Sequence, residues 1–159
     1  MTLNIRPAER PDVALVADLI RQLAKFEKLE HEVVLTDELL VAGLFGPRPY
    51  AEAVIAEEDG EPIGFALFFH TFSTFLARPG IYLEDLFVLP DHRGRGVGRA
   101  LLGHLAHLAV ERGCGRLEWA VLNWNQEAIR FYERLGARPN SEWTVYRVAG
   151  EALQALGRE

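Results

Sequence analysis

An apolar run over residues 82–89 is stopped by Pro90, passes glycines at positions 94, 96 and 98, and becomes a helical pattern over residues 97–112. Leu101, Leu102, Leu105, Leu108 and Ala109 recur on one side of that helix, and Gly113 stops it. A strand that passes into a helix through glycines leaves the first N–H groups of the helix unbonded, with the positive end of its dipole beside them and no side chain in the way. Such a turn favours a phosphate or another anion. His92, Arg93, Arg95 and Arg99 concentrate positive charge there, in a chain whose formal net charge is −6.

The spacing separates this turn from two better-known nucleotide loops. No Lys-Ser or Lys-Thr follows, so a Walker loop does not fit, and Arg99 stands where a dinucleotide fingerprint needs its third glycine. What survives is Arg-x-x-Gly-x-Gly, carried by Arg93, Gly96 and Gly98.

Other elements follow from period and punctuation. Residues 3–6 form a short strand; Arg10, Pro11 and Asp12 open a helix with Val16, Leu19, Ile20, Leu23 and Phe26 on one face. Thr36 caps a second helix, with Asp37 and Glu38 in its first turn and a stop near Gly46-Pro47. Residues 51–56 and 62–70 make a hairpin about Asp59-Gly60. After the long helix come a strand over 116–122, a helix over 125–135, a last strand over 143–148 and a frayed tail. The order β-α-α-β-β-β-α-β-α-β predicts one α/β (α+β) unit, a mixed central sheet with helices on both faces. At 159 residues it fits a single domain.

The glycine turn, together with Ile5-Arg6-Pro7-Ala8 and Asp12, Asp85-Leu86-Phe87-Val88, Asn125, and residues 128–137 (Ala-Ile-Arg-Phe-Tyr-Glu-Arg-Leu-Gly-Ala), resembles the GNAT superfamily of N-acetyltransferases along nearly the whole chain. Residues 23–30, Leu35-Thr36, Tyr82-Leu83-Glu84-Asp85 and Asn123-Trp124-Asn125 are similar to its diamine acetyltransferase branch, which acetylates spermidine, spermine and thialysine. The resemblance implies one N-acetyltransferase domain over 1–159, acetyl-CoA as acetyl donor, direct transfer in a ternary complex without a covalent enzyme intermediate, and a homodimer. It implies a coenzyme site from Leu86, Phe87, Val88, Arg93, Gly94, Arg95, Gly96, Val97, Gly98, Arg99, Asn125, Ala128 and Tyr132.

The chemistry of the reaction assigns roles. An alkyl amine with a pKa of about 10.4 is protonated at neutral pH and cannot attack a thioester until a base removes the proton. Glu84 is where the diamine branch would carry that base, and Asp85 beside it competes; alternation along a strand would put the two on opposite faces. The same resemblance implies that backbone N–H groups near Phe87 and Val88 would meet the developing oxyanion. Tyr132, by motif match, would protonate the leaving thiolate. Asn125 has two compatible roles, capping its helix or bonding the pantetheine arm.

Glu27, Glu30 and Glu32 follow the first helix, and Glu27 best matches a carboxylate that holds the far ammonium of an extended substrate; such a run is equally the mark of a solubilising face. Phe26, at the substrate site, stands where polyamine-acetylating relatives carry tyrosine, and residues 72–80 lack their Asp-Pro-Trp sequence. The substrate class thus stays open among diamines, polyamines and lysine-like amino acids.

Composition limits the partners. The acidic balance disfavours a nucleic-acid binder, and no apolar run reaches the ~20 residues that span a bilayer. A cytoplasmic location is expected, consistent with Cys114 as the only cysteine, read as passive. His104 and His107 read as a solvated helix face, and no metal is implied. Two rivals remain: an enzyme acetylating protein N-termini or lysines, and a non-catalytic acyl-CoA-binding module.

Overall fold

The computed structural model describes residues 2–159, in two compact units that divide between Ala120 and Val121. In the first, strands β1 (Leu3–Pro7), β2 (Glu52–Glu58), β3 (Glu61–Ser73), β4 (Arg78–Val88) and β5 (Leu117–Trp119) lie in that spatial order. The first four run antiparallel and β5 is parallel to β4. The β2–β3 hairpin turns through Asp59 (φ 51°) and Gly60 (φ 85°), the paired positive angles expected of that dipeptide.

Helix α1 (Val13–Phe26) and helix α2 (Asp37–Phe45) cover one face. Thr36 caps α2 as expected, its Oγ1 accepting from the Leu39 N–H at 3.2 Å. Val16, Leu19 and Leu23 of α1 and Leu44 of α2 form one buried cluster with Ala53, Ile55, Phe65, Leu67 and Phe87 of the sheet. Helix α3 (Val97–Glu111) buries Val97, Leu101, Leu102, Leu105 and Ala109 and contacts β4, β3 and β1.

The ladder between β3 and β4 is regular except at one place. Leu67 pairs with Asp85 while Phe68 pairs with Leu83, so Glu84 is an extra residue in a bulge. The bulge reverses inward parity along β4. Phe87 belongs to the α1 cluster, whereas Leu83, also odd-numbered, lies across from the even-numbered Phe68.

The second unit contains helix α4 (Gln126–Arg134) and helix α5 (Gly150–Leu156). Three expectations are corrected. The strand over 143–148 does not form, because a strand exists only through a neighbour's ladder and residues 144–148 make no main-chain hydrogen bond among the described residues. The tail is helical, as Ala, Leu, Glu and Gln in α5 favour. Finally, β5 spans three residues instead of seven. Among the described residues no helix is long and apolar enough to cross a membrane.

Candidate active site

The glycine turn adopts the geometry that its composition demands. Gly94 (φ 76°) and Gly96 (φ 84°) occupy the left-handed region, and Gly96 is the N-cap of α3. A Cβ at either glycine would meet no atom within 4 Å, so the main chain is open to an approaching group. The Arg93 N–H bonds Pro90 O at 3.3 Å and the Ala100 N–H bonds Gly96 O at 2.9 Å. Among the described residues, no main-chain N–H of residues 94–99 donates to another main-chain group. A run of such donors at the positive end of a 15-residue helix suits the diphosphate of a coenzyme A thioester.

The arginines serve the turn itself. Arg95 donates to Glu58 Oε1 at 3.1 Å and to Asp91 O at 2.9 Å, and His92 Nδ1 lies 2.9 Å from Glu58 Oε2. Glu58, at the end of β2, therefore ties both sides of the turn to the sheet. Sequence reading missed it, because nothing in the polar hairpin around it signals a partner more than thirty residues away. Arg93 donates from Nε to Val88 O at 2.8 Å, and its guanidinium carbon sits 4.9 Å from the Phe26 ring centre and 5.1 Å from that of Phe87. Arg99 is exposed on the first turn of α3.

Beyond Leu83, β4 runs on to Val88 with no β5 pairing on its outer side. The Leu89 N–H bonds Ile63 O on the β3 side. By antiparallel alternation Val88 and Leu86 turn their amide groups away from β3, and the Arg93 contact with Val88 O agrees. This splayed half-strand is where acceptance of an oxyanion was expected.

The carboxylates also gather on this half of β4. Asp85 lies across from Leu67 of the α1 cluster, so it faces the side on which Glu27 follows α1. Burial first, then the charges of Glu84 and Glu27, pushes the Asp85 carboxyl up to about 6. Burial likewise raises the Glu27 carboxyl. Glu84 is exposed at the bulge, while Glu30 and Glu32 are exposed in a short helical turn. Of the three acids after α1, Glu27 alone joins this charge cluster.

Asn125, Ala128 and Tyr132 lie on α4 in the second unit. Asn125 takes its capping role, Oδ1 accepting from the Ala128 N–H at 3.2 Å. The Tyr132 ring is half-buried, 5.5 Å from that of Phe131 between centres.

Residues 16–137 match the Acetyltransferase (GNAT) family, and the chain belongs to it: this is an acetyltransferase. Within it the chain falls in the diamine acetyltransferase branch. It is 38% identical to the thialysine N-epsilon-acetyltransferase of Bos taurus over 96% of this chain and 95% of that one. It is 34% identical to an L-ornithine N5-acetyltransferase of Arabidopsis thaliana, over 99% of this chain and 89% of the other. Among solved structures, an integron cassette protein from the mobile metagenome of V. cholerae superposes with a TM-score of 0.83 at 27% identity, covering 100% of this chain and 99% of that one.

Proposed function

We propose that this acetyltransferase uses acetyl-CoA and delivers the acetyl group to a primary amine of a small cationic substrate, a diamine, polyamine or lysine-like amino acid, by direct attack while both are bound. One observation carries the proposal: an open run of main-chain donors over residues 94–99 stands beside a half-strand that bears paired carboxylates. The substrates in the relatives' names, thialysine and L-ornithine, are amino acids with a side-chain amine, which favours a small molecule over a protein chain.

In this scheme the amides of Gly94 to Arg99 hold the diphosphate and Phe26 lines the amine's approach. Asn125 and Ala128 hold the pantetheine arm. Glu27 and Asp85 attract the cation. The Glu84–Asp85 pair removes the proton from the attacking nitrogen, with Glu84 at the amine. The outward amides of Leu86 and Val88, next to Phe87, stabilise charge on the thioester oxygen. Tyr132 gives its proton to the departing thiolate. The protein acts as a homodimer in the cytoplasm, with neither nucleic acid nor membrane as partner; its net charge of −6 suits a cationic substrate.

The test is a panel of amines incubated with acetyl-CoA, reading free thiol. Release should depend on the amine and be fastest with compounds carrying a second positive charge. Equal rates with mono-amines would remove the acidic pocket, acetylation confined to proteins would favour the peptide-modifying rival, and binding without release would leave a non-catalytic module.

A further inference from the structure

Two acids end β2 side by side, and they hold different parts of the molecule. Glu57 lies 3.2 Å from Arg6 Nε, and Arg6 also grips Asp12 ahead of α1. Glu58 reaches the glycine turn instead: Arg95 Nη1 donates to its Oε1 at 3.1 Å, and His92 Nδ1 lies 2.9 Å from its Oε2. A carboxylate only accepts, so the His92 nitrogen facing it carries a proton and donates. Both oxygens of Glu58 are thus taken by one turn, at positions that flank Arg93 and Gly94.

The main chain does little to fix that turn. Gly94 and Gly96 take left-handed φ values of 76° and 84°, and among the described residues no main-chain N–H of residues 94–99 donates to another main-chain group. Glycine loses more conformational freedom on ordering than any other residue, so a turn of this kind without tethers would meet an anion with its donors dispersed. Side chains supply the tethers. Arg95 Nη2 donates to Asp91 O at 2.9 Å within the turn, and Arg93 Nε donates to Val88 O at 2.8 Å on the strand that leads into it. The Glu58 bonds join the turn to a strand far from it in sequence.

We propose that Glu58 is a positioning residue for the coenzyme. By holding Arg95 and His92 it presets the donors of residues 94–99, and Arg95 clamps the turn instead of binding the phosphates. The proposal rests on the reading of this turn as the acetyl-CoA site. Both terminal nitrogens of Arg95 are engaged by protein oxygens. The Glu58 side chain is 14% exposed and that of Arg95 44%, so the pair is screened less than one in open water. The clamp and the alternative differ in sign. Were Arg95 a phosphate ligand held back by Glu58, removing Glu58 would free it and tighten coenzyme binding; with Arg95 as a clamp, removing Glu58 loosens the turn and weakens binding.

The test uses the full chain, with the Kd for CoA from titration calorimetry and KM and kcat from thiol release with the fastest amine. Glu58→Ala should raise the Kd for CoA and the KM for acetyl-CoA about tenfold, equivalent to about 1.4 kcal/mol, with kcat little changed. Glu58→Gln, which keeps the side chain's volume, should move both in the same direction and decides the sign if the alanine variant does not fold. Combining Arg95→Ala with Glu58→Ala should weaken binding by no more than about twofold beyond Glu58→Ala, because the two act through one contact. Glu57→Ala should lower the denaturant midpoint and leave the KM for acetyl-CoA as it is. Unchanged or tighter CoA binding in the Glu58 variants would overturn the proposal and leave the coenzyme reading standing, whereas a native chain that binds no CoA would overturn both. Full additivity of the Glu58 and Arg95 substitutions would give Arg95 its own contact with the coenzyme and defeat the clamp. An equal KM rise in Glu57→Ala would reduce Glu58 to general support of β2 and equally defeat it.

Discussion

Two aspartates in the same unit carry opposite electrostatic histories. Asp12 accepts two bonds from Arg6, at 2.8 and 2.9 Å, and one from the Glu9 N–H at 2.8 Å. Arg6 also reaches Glu57 on β2 at 3.2 Å. The Arg6 bond holds the Asp12 carboxyl below its usual range, and Arg6 itself is raised. Asp85 has burial, two like charges nearby and no ion pair with a cation among the described residues, and its carboxyl rises to about 6. The first arrangement stabilises the ionised form and so the fold; the second destabilises the ionised form. A carboxylate kept short of partners marks where a substrate is expected to complete the site.

The largest effect should fall on the carboxylate pair. Glu84→Gln should lower kcat by about 10²–10⁴, the usual range for a lost general base. Because the Glu84 charge helps raise Asp85, the acid limb of kcat/KM should also move from near pH 6 to lower pH, measured as a pH–rate profile. An unchanged limb with full turnover would dissolve the contrast between the two aspartates.

Stability should separate them next. Asp85 has a folded pKa raised from 3.8 to about 6, so its protonated form contributes stability that is complete below pH 3.8 and lost as pH rises through about 6. Asp85→Asn, which fixes a neutral side chain, should make the protein more stable at pH 8 by up to about 3 kcal/mol, with the gain closing below about pH 4. Denaturant unfolding at the two pH values measures it.

Asp12→Ala should do the reverse, costing about 1–3 kcal/mol at pH 7 because Arg6 loses a charge-assisted pair. The Asp12 contribution is present above pH 3.8 and lost as pH falls through its depressed folded value, so the variant and the native chain should converge in acid. The smallest effect belongs to the glycine turn. Gly96→Ala forces a φ of 84° on a residue with a Cβ, at a cost of about 1–2 kcal/mol. It should raise KM for acetyl-CoA by about tenfold with kcat little changed; a kcat loss alone would move the turn's role away from binding.

Much of this was legible because local chemistry dictated it. Asp59-Gly60 could only turn, Thr36 could only cap, and the glycines between Pro90 and Val97 left few alternatives to an open N-terminal turn. What the sequence concealed depends on distant neighbours. The expected alternation of Glu84 and Asp85 meets a bulge set by how β3 pairs, and no local pattern announces it. Glu58 acquires its role from a turn brought close by the sheet. The strand over 143–148 was read from composition alone, whereas pairing needs a second strand that composition cannot supply.

The bulge at Glu84 gives β4 one residue more than its ladder with β3 uses. Ahead of it Leu83 is buried opposite Phe68, and after it Phe87 is buried in the α1 cluster. Removing Glu84 itself would straighten the ladder and leave both halves in register, Leu83 still opposite Phe68 and Asp85 still opposite Leu67. The frame of this enzyme should therefore survive a single-codon deletion at that point, while its acid pair would be reduced to Asp85 alone.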